Sequence, residues 1–190
     1  MSKDYIKKIK IEKVEAELEV DLCRNMIIIG CDVSMHNTGL AVIKTTDDYL
    51  TLDILHNIIV PKKIDLLKAA DLFIDQIEDF KRKITQKYKL DINIIEDCFY
   101  GKNVKTLKSL ARFSILIYDK LRGIATKSKL VLPTQARNLI NFKKSSKEIK
   151  GSKLKKEIIE YINNALQINI KDDNLADGCV LALAGLVIKE

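Results

Sequence analysis

Short apolar runs and long amphipathic stretches follow one another along the chain, and this pattern predicts most of its elements. Met26 to Cys31 is a continuous apolar run of the length of a central strand. Gly39 to Lys44 and Tyr49 to Val60 are two further β-rich runs, joined by the polar "TTDDY", so they pair as a hairpin. The gap between the first two runs is also short, which favours antiparallel neighbours. Pro61 closes this unit. "KKIDLLKAADLFIDQIEDFKRKITQKY" then switches to helix periodicity, with Leu66, Ala69, Ala70, Phe73, Ile77 and Phe80 on one broad face. "LDINIIED" predicts a strand ending in Glu96. "NVKTLKSLARFSILIYDKLRG" predicts a second helix with Leu107, Leu110, Ser114, Ile117 and Leu121 on one face, widened by Phe113 and Leu116, and Gly123 as its C-cap. "KLVLP" predicts a short strand stopped by Pro133. A helix from about Lys153 to Leu166 follows, and then a mostly apolar helix, "DNLADGCVLALAGLVI", which should pack on the sheet.

Residues 5 to 22 are mixed: Ile9, Ile11 and Val14 fit a strand, and Leu18 to Leu22 fit a helix. We read residues 1–25 as an N-terminal extension and 26–190 as one domain. Three early strands pair antiparallel and two later ones return through helical crossovers. The expected class is α/β, a mixed five-stranded sheet flanked by helices.

Composition adds the class of partner. The 190 residues carry 33 Lys and Arg against 26 Asp and Glu, a formal net charge of +7, which favours a polyanion such as nucleic acid. No apolar run is long enough to span a bilayer, and charges interrupt the start where a signal peptide would be apolar. An intracellular, cytoplasmic location is expected, with no membrane partner. Cys23, Cys31, Cys98 and Cys179 have no metal-ligand spacing and read as small core residues. With only His36 and His56, a histidine-rich metal site has little support. The turn "SMHNTG" reverses the chain; with no second such loop, no nucleotide cofactor is expected.

Against this basic background the acids stand out. Asp32 and Glu96 each end an apolar strand, and parallel neighbours would place both at the edge where open α/β sheets bind ligands. Asp172, Asp173 and Asp177 follow near the end of the chain. Positions 173 and 177 share a helix face, about 6 Å apart along the axis. Asp172 and Asp173 also suit a helix N-cap. Asp177 precedes an apolar run on a helix that should pack on the sheet, where an unpaired carboxylate is expensive. Carboxylates so gathered are costly unless a cation sits among them, and Mg²⁺ or Mn²⁺ is the natural occupant.

"IIIGCDVSMHNTGLAVI", "INIIEDCFYGKN", "TQARNLI", "GSKLKKEI" and "DDNLADGCVLALA" together resemble the RuvC-like Holliday junction resolvases, most nearly the branch found in poxviruses and some other viruses and phages. The resemblance runs from about Met26 onward. It implies a ribonuclease H-like fold, a homodimer, and symmetric cutting of four-way DNA junctions with Mg²⁺ or Mn²⁺, two ions per site. For a viral protein it further implies the host cytoplasm. It places Asp32 and Glu96 in the first-strand and fourth-strand acid positions, and Asp177 in the final one. Where a fourth acid normally stands this chain has Asn174; Asp173 is our choice of compensating ligand, with the amide oxygen of Asn174 as the alternative. Gly178 stands where Ala is frequent, a change harmless to packing but poor for helix propensity. Lys155 matches a catalytic lysine that would neutralise charge at the scissile phosphate. Lys143, Lys144, Lys147, Lys150, Lys153 and Lys156 suit a DNA phosphate track, and Arg137 either joins it or pairs with an acid. The helix from Val104 to Leu121 is our choice for the dimer surface, the alternative being that the core consumes its apolar face.

Overall fold

The computed structural model describes residues 3–98, 104–143 and 151–188. Its centre is β2 (Ile27–Asp32), the continuous apolar run of the sequence. It pairs antiparallel with β3 (Asn37–Thr45), which pairs antiparallel with β4 (Tyr49–Ile59). On its other side β2 pairs parallel with β5 (Leu90–Glu96), and β5 with β6 (Ala125–Val131).

Six strands form the sheet, in the order β1-β4-β3-β2-β5-β6, not the five expected. The addition is β1 (Lys3–Lys10), antiparallel on the open edge of β4 with Ile9 opposite Leu50. Ile11 and Val14 do not continue that strand. They open α1 (Ile11–Leu18), where Ile11, Val14 and Leu18 are all buried at helix spacing. Arg24 holds this segment down, donating to both carboxylate oxygens of Glu15 at 2.6 and 2.8 Å and to Asp47 O at 3.1 Å.

Side chains of β2 alternate between two cores. Ile28 faces a layer made by α1, α4 (Pro133–Leu139), α5 (Ser152–Leu166) and α6 (Asp173–Val187). Ile29 and Cys31 face a layer made by α2 (Leu66–Thr85) and α3 (Val104–Leu121). In α2 the expected stripe is buried at Ala69, Phe73, Ile77 and Phe80, and Phe73 meets Phe113 of α3 edge-on at 4.9 Å. The inner face of α3 is taken up by this core through Phe113, Ile117 and Leu121. The short helix α4 was not expected: Pro133 ends the strand, but it also sits in the first turn of a helix, where its missing N–H costs nothing. Among the described residues no helix is long and apolar enough to cross a membrane.

Candidate active site

The parallel register of β2 and β5 sets Cys31 opposite Ile95, so the next residues, Asp32 and Glu96, leave the sheet side by side. Their carboxyl groups lie close enough to influence each other directly. The Val33 N–H donates to Glu96 Oε2 at 3.2 Å. Asp177 comes from α6, which crosses the sheet above β2 and β3. These three acids and Arg137 line one narrow cleft with an apolar wall of Ala136, Val180 and Leu181.

Two features fix α6 in place. Asp172 is its N-cap, with Oδ1 accepting from the N–H groups of Asn174 and Leu175 at 3.0 and 3.1 Å. Its Oδ2 accepts from Asn57 at 3.1 Å and from Asn37 at 3.4 Å, so this acid ties the helix to β4 and β3. The second feature is close backbone approach. A Cβ at Gly30 would lie 2.1 Å from Gly178 O, and one at Gly39 would lie 2.0 Å from Asn174 O. Gly178 is part of this fit, because a Cβ there would sit 3.0 Å from Gly39 O. An alanine at 178 would be cramped, so the glycine is not merely harmless to packing but is part of the fit.

The cations sit on the acids. Arg137 donates from a terminal guanidinium nitrogen to Asp177 Oδ1 at 3.2 Å. Lys155 donates to Asp173. Asp173 lies close enough for its charge to be felt at Asp32 and Asp177. Of the two placements open to Arg137, the cleft is the one found. Arg137 is carried there by α4, the helix that Pro133 opens. Lys153 and Lys156 are exposed on α5. Lys143 is bonded to Glu19 at 2.6 Å. Lys144, Lys147 and Lys150 lie outside the described residues. His36 ties its turn to Val60, just past the end of β4, through a ring nitrogen 3.3 Å from Val60 O. The supports from Asn37 and Asn57 to Asp172 were not visible in the sequence, since nothing in their spacing marks them.

Burial raises the Asp32 carboxyl well above the ordinary range, and Glu96, Asp177 and Asp173 push it further. Glu96 is raised by burial first and by Asp177 next, against the lowering effect of Asp32 and of the Val33 N–H. Burial raises Asp177 too, against the pull of Arg137. Lys155 is raised by its bond to Asp173. The cleft thus gathers four carboxyl groups against two cationic side chains, Arg137 and Lys155.

Among the described residues, no group of three or more His, Cys, Asp or Glu side chains forms a metal-ligating cluster. The donor set still suits a hard cation. Asp32, Glu96 and Asp177 offer only carboxylate oxygens on one cleft, and a divalent ion there would offset both their burial and their mutual repulsion. Asp177 is the one of the three already bound to a cationic side chain.

No known family's model matches the sequence, and no curated protein matches it. Solved structures do. The fold is similar to that of Thermus thermophilus RuvC, at a TM-score of 0.63 and 13% identity over 84% of this chain and 92% of that one. T. thermophilus RuvC in complex with Holliday junction substrate matches at a TM-score of 0.64 and 12% identity over the same shares of 84% and 92%. The yeast mitochondrial Holliday junction resolvase Ydc2 matches at 0.53 and 9% identity over 93% of this chain and 86% of that one. At such identities the likeness is one of fold. The chain has the architecture of RuvC-type resolvases, a mixed sheet flanked by helices.

Proposed function

We propose that this chain is a divalent-metal-dependent endonuclease that resolves four-way DNA junctions as a homodimer. One observation carries the reading: carboxylates from β2, β5 and α6 converge on one cleft at the carboxyl edge of a sheet whose fold is that of junction resolvases. Asp32, Glu96 and Asp177 would hold Mg²⁺ or Mn²⁺, with Asp173 beside them. The ion supplies Lewis acidity and a lowered pKa for a water molecule. Lys155 and Arg137 would neutralise charge on the scissile phosphate. The exposed Lys153 and Lys156, with Lys143, Lys144, Lys147 and Lys150, would follow the DNA backbone, as the charge of +7 suits. Membership of the poxvirus-type branch, and action in the cytoplasm, rest on the sequence motifs and are part of the same proposal.

A junction-binding protein without nuclease activity is the second reading. It is favoured by the pairing of Arg137 with Asp177 and of Lys155 with Asp173, which neutralises half of the acids. Asp32→Asn separates the two. Under the nuclease reading it abolishes cleavage of a four-way junction and leaves junction binding intact, whereas an inactive binder cuts nothing in either form. Cleavage of linear duplex or of an RNA–DNA hybrid as fast as the junction would assign the site to another nuclease on the same fold.

A further inference from the structure

Arg137 is poorly served where it lies. Its side chain is 19% exposed, and one of its terminal nitrogens bonds Asp177 at 3.2 Å. Its Nε is buried with no hydrogen-bond partner. A guanidinium has five N–H donors in a fork that matches the oxygens of a phosphate, and a buried donor left unpaired is costly. The same side chain stands on one of the three carboxylates that line the cleft. It therefore holds a position that a metal ion at Asp177 would contest, in a geometry that a phosphodiester would improve.

We propose that Arg137 is a displaceable internal counter-ion: it keeps Asp177 from a divalent cation in the free protein, and DNA phosphate draws it off, so that metal and DNA bind cooperatively. This rests on the metal-dependent reading of the site and adds an order to it. Removing the positive charge beside Asp177 must raise the affinity of the cleft for a cation. By linkage, a phosphate that removes Arg137 from Asp177 must do the same, and bound metal must tighten DNA to an equal degree.

The test is Mn²⁺ binding to the intact protein, followed by calorimetry and by the electron paramagnetic resonance signal of the free ion. Without DNA, Arg137→Gln should bind Mn²⁺ about tenfold more tightly than the parent, within the usual range of coupling between sites. Arg137→Lys, which keeps the charge, should bind as weakly as the parent. A four-way junction with charged, non-hydrolysable methylenephosphonate linkages should tighten Mn²⁺ binding by the parent and leave Arg137→Gln unchanged. Equal Mn²⁺ affinity of the parent and Arg137→Gln without DNA overturns the counter-ion role. So does an equal gain from DNA in both. If neither protein binds Mn²⁺ with or without DNA, the metal-dependent reading beneath it fails as well, and Asp177→Asn identifies that case by changing nothing.

Discussion

Asp32 is held in a site that disfavours its ionised form. Burial is the first cause and the neighbouring Glu96 the second, and together they favour the protonated carboxyl in the folded state. A group raised in this way lends stability that is complete below the ordinary carboxylate range and is lost as pH rises through its folded value. Glu15 and Glu78, held below the usual range by Arg24 and Lys120, act with the opposite sign, but only where acid protonates them. The metal-free protein should therefore weaken as pH rises above the ordinary carboxylate range. Asp32→Asn should stabilise it at neutral pH by about 1 kcal/mol, the usual scale for relaxing a functional site, and flatten that decline. Urea denaturation of both proteins in a chelating buffer at two pH values measures this, and a variant weaker than its parent at neutral pH refutes it. Asp32, Glu96 and Asp177 could be read from sequence because each is marked locally, by the end of an apolar strand or by an interrupted apolar helix. The partner of Arg137 could not, because it depends on where α4 turns the chain.

At the level of elements, the site depends on how closely α6 lies on the sheet. Gly39 of β3 meets the backbone of Asn174, and Gly30 of β2 meets that of Gly178. Gly39→Ala would bring its Cβ to 2.0 Å from Asn174 O, against rigid backbone. The helix would have to lift at the end that carries Asp173 and Asp177. We expect a loss of about 3 kcal/mol in chemical denaturation, the upper range for overpacking a tight core. Gly123→Ala serves as the control, since a Cβ there meets nothing within 4 Å. Equal stability of the two variants would show that α6 is not held by backbone contact. The elements that escaped the sequence reading did so for definable reasons. Ile9, Ile11 and Val14 fit both the strand period and the helix period, and it is the open edge of β4 that divides them between β1 and α1. Pro133 ends a strand and starts a helix equally well, and only the first role was assigned.

For the whole molecule, the proposed symmetric cutting of a junction would need two copies of the cleft held as a fixed pair. The sheet offers two free edges, β1 and β6, and both carry lysines: Lys7, Lys8 and Lys10 on one, Lys127 and Lys129 on the other. Lysine-bearing edges resist pairing with another sheet, which directs association to a helical face. On α2 the exposed Leu67 and Leu72 lie among the exposed Asp71, Asp75 and Asp79, an unfavourable surface to set against its own copy. On α3, Val104 and Ile115 are 52% and 59% exposed and three helical turns apart, so they fall on one outward stripe, opposite the buried Phe113 and Ile117. This stripe is our choice for the dimer contact. Ile115→Glu would place two carboxylates at its centre and should weaken the dimer about thirtyfold, the effect of a hot-spot residue of about 2 kcal/mol. Light scattering across a concentration series measures the shift. On a supercoiled plasmid with an extruded cruciform, the parent should give linear product from paired cuts, and the variant should accumulate nicked circles. Paired cutting by an Ile115→Glu protein that remains dimeric would place the interface elsewhere on the molecule.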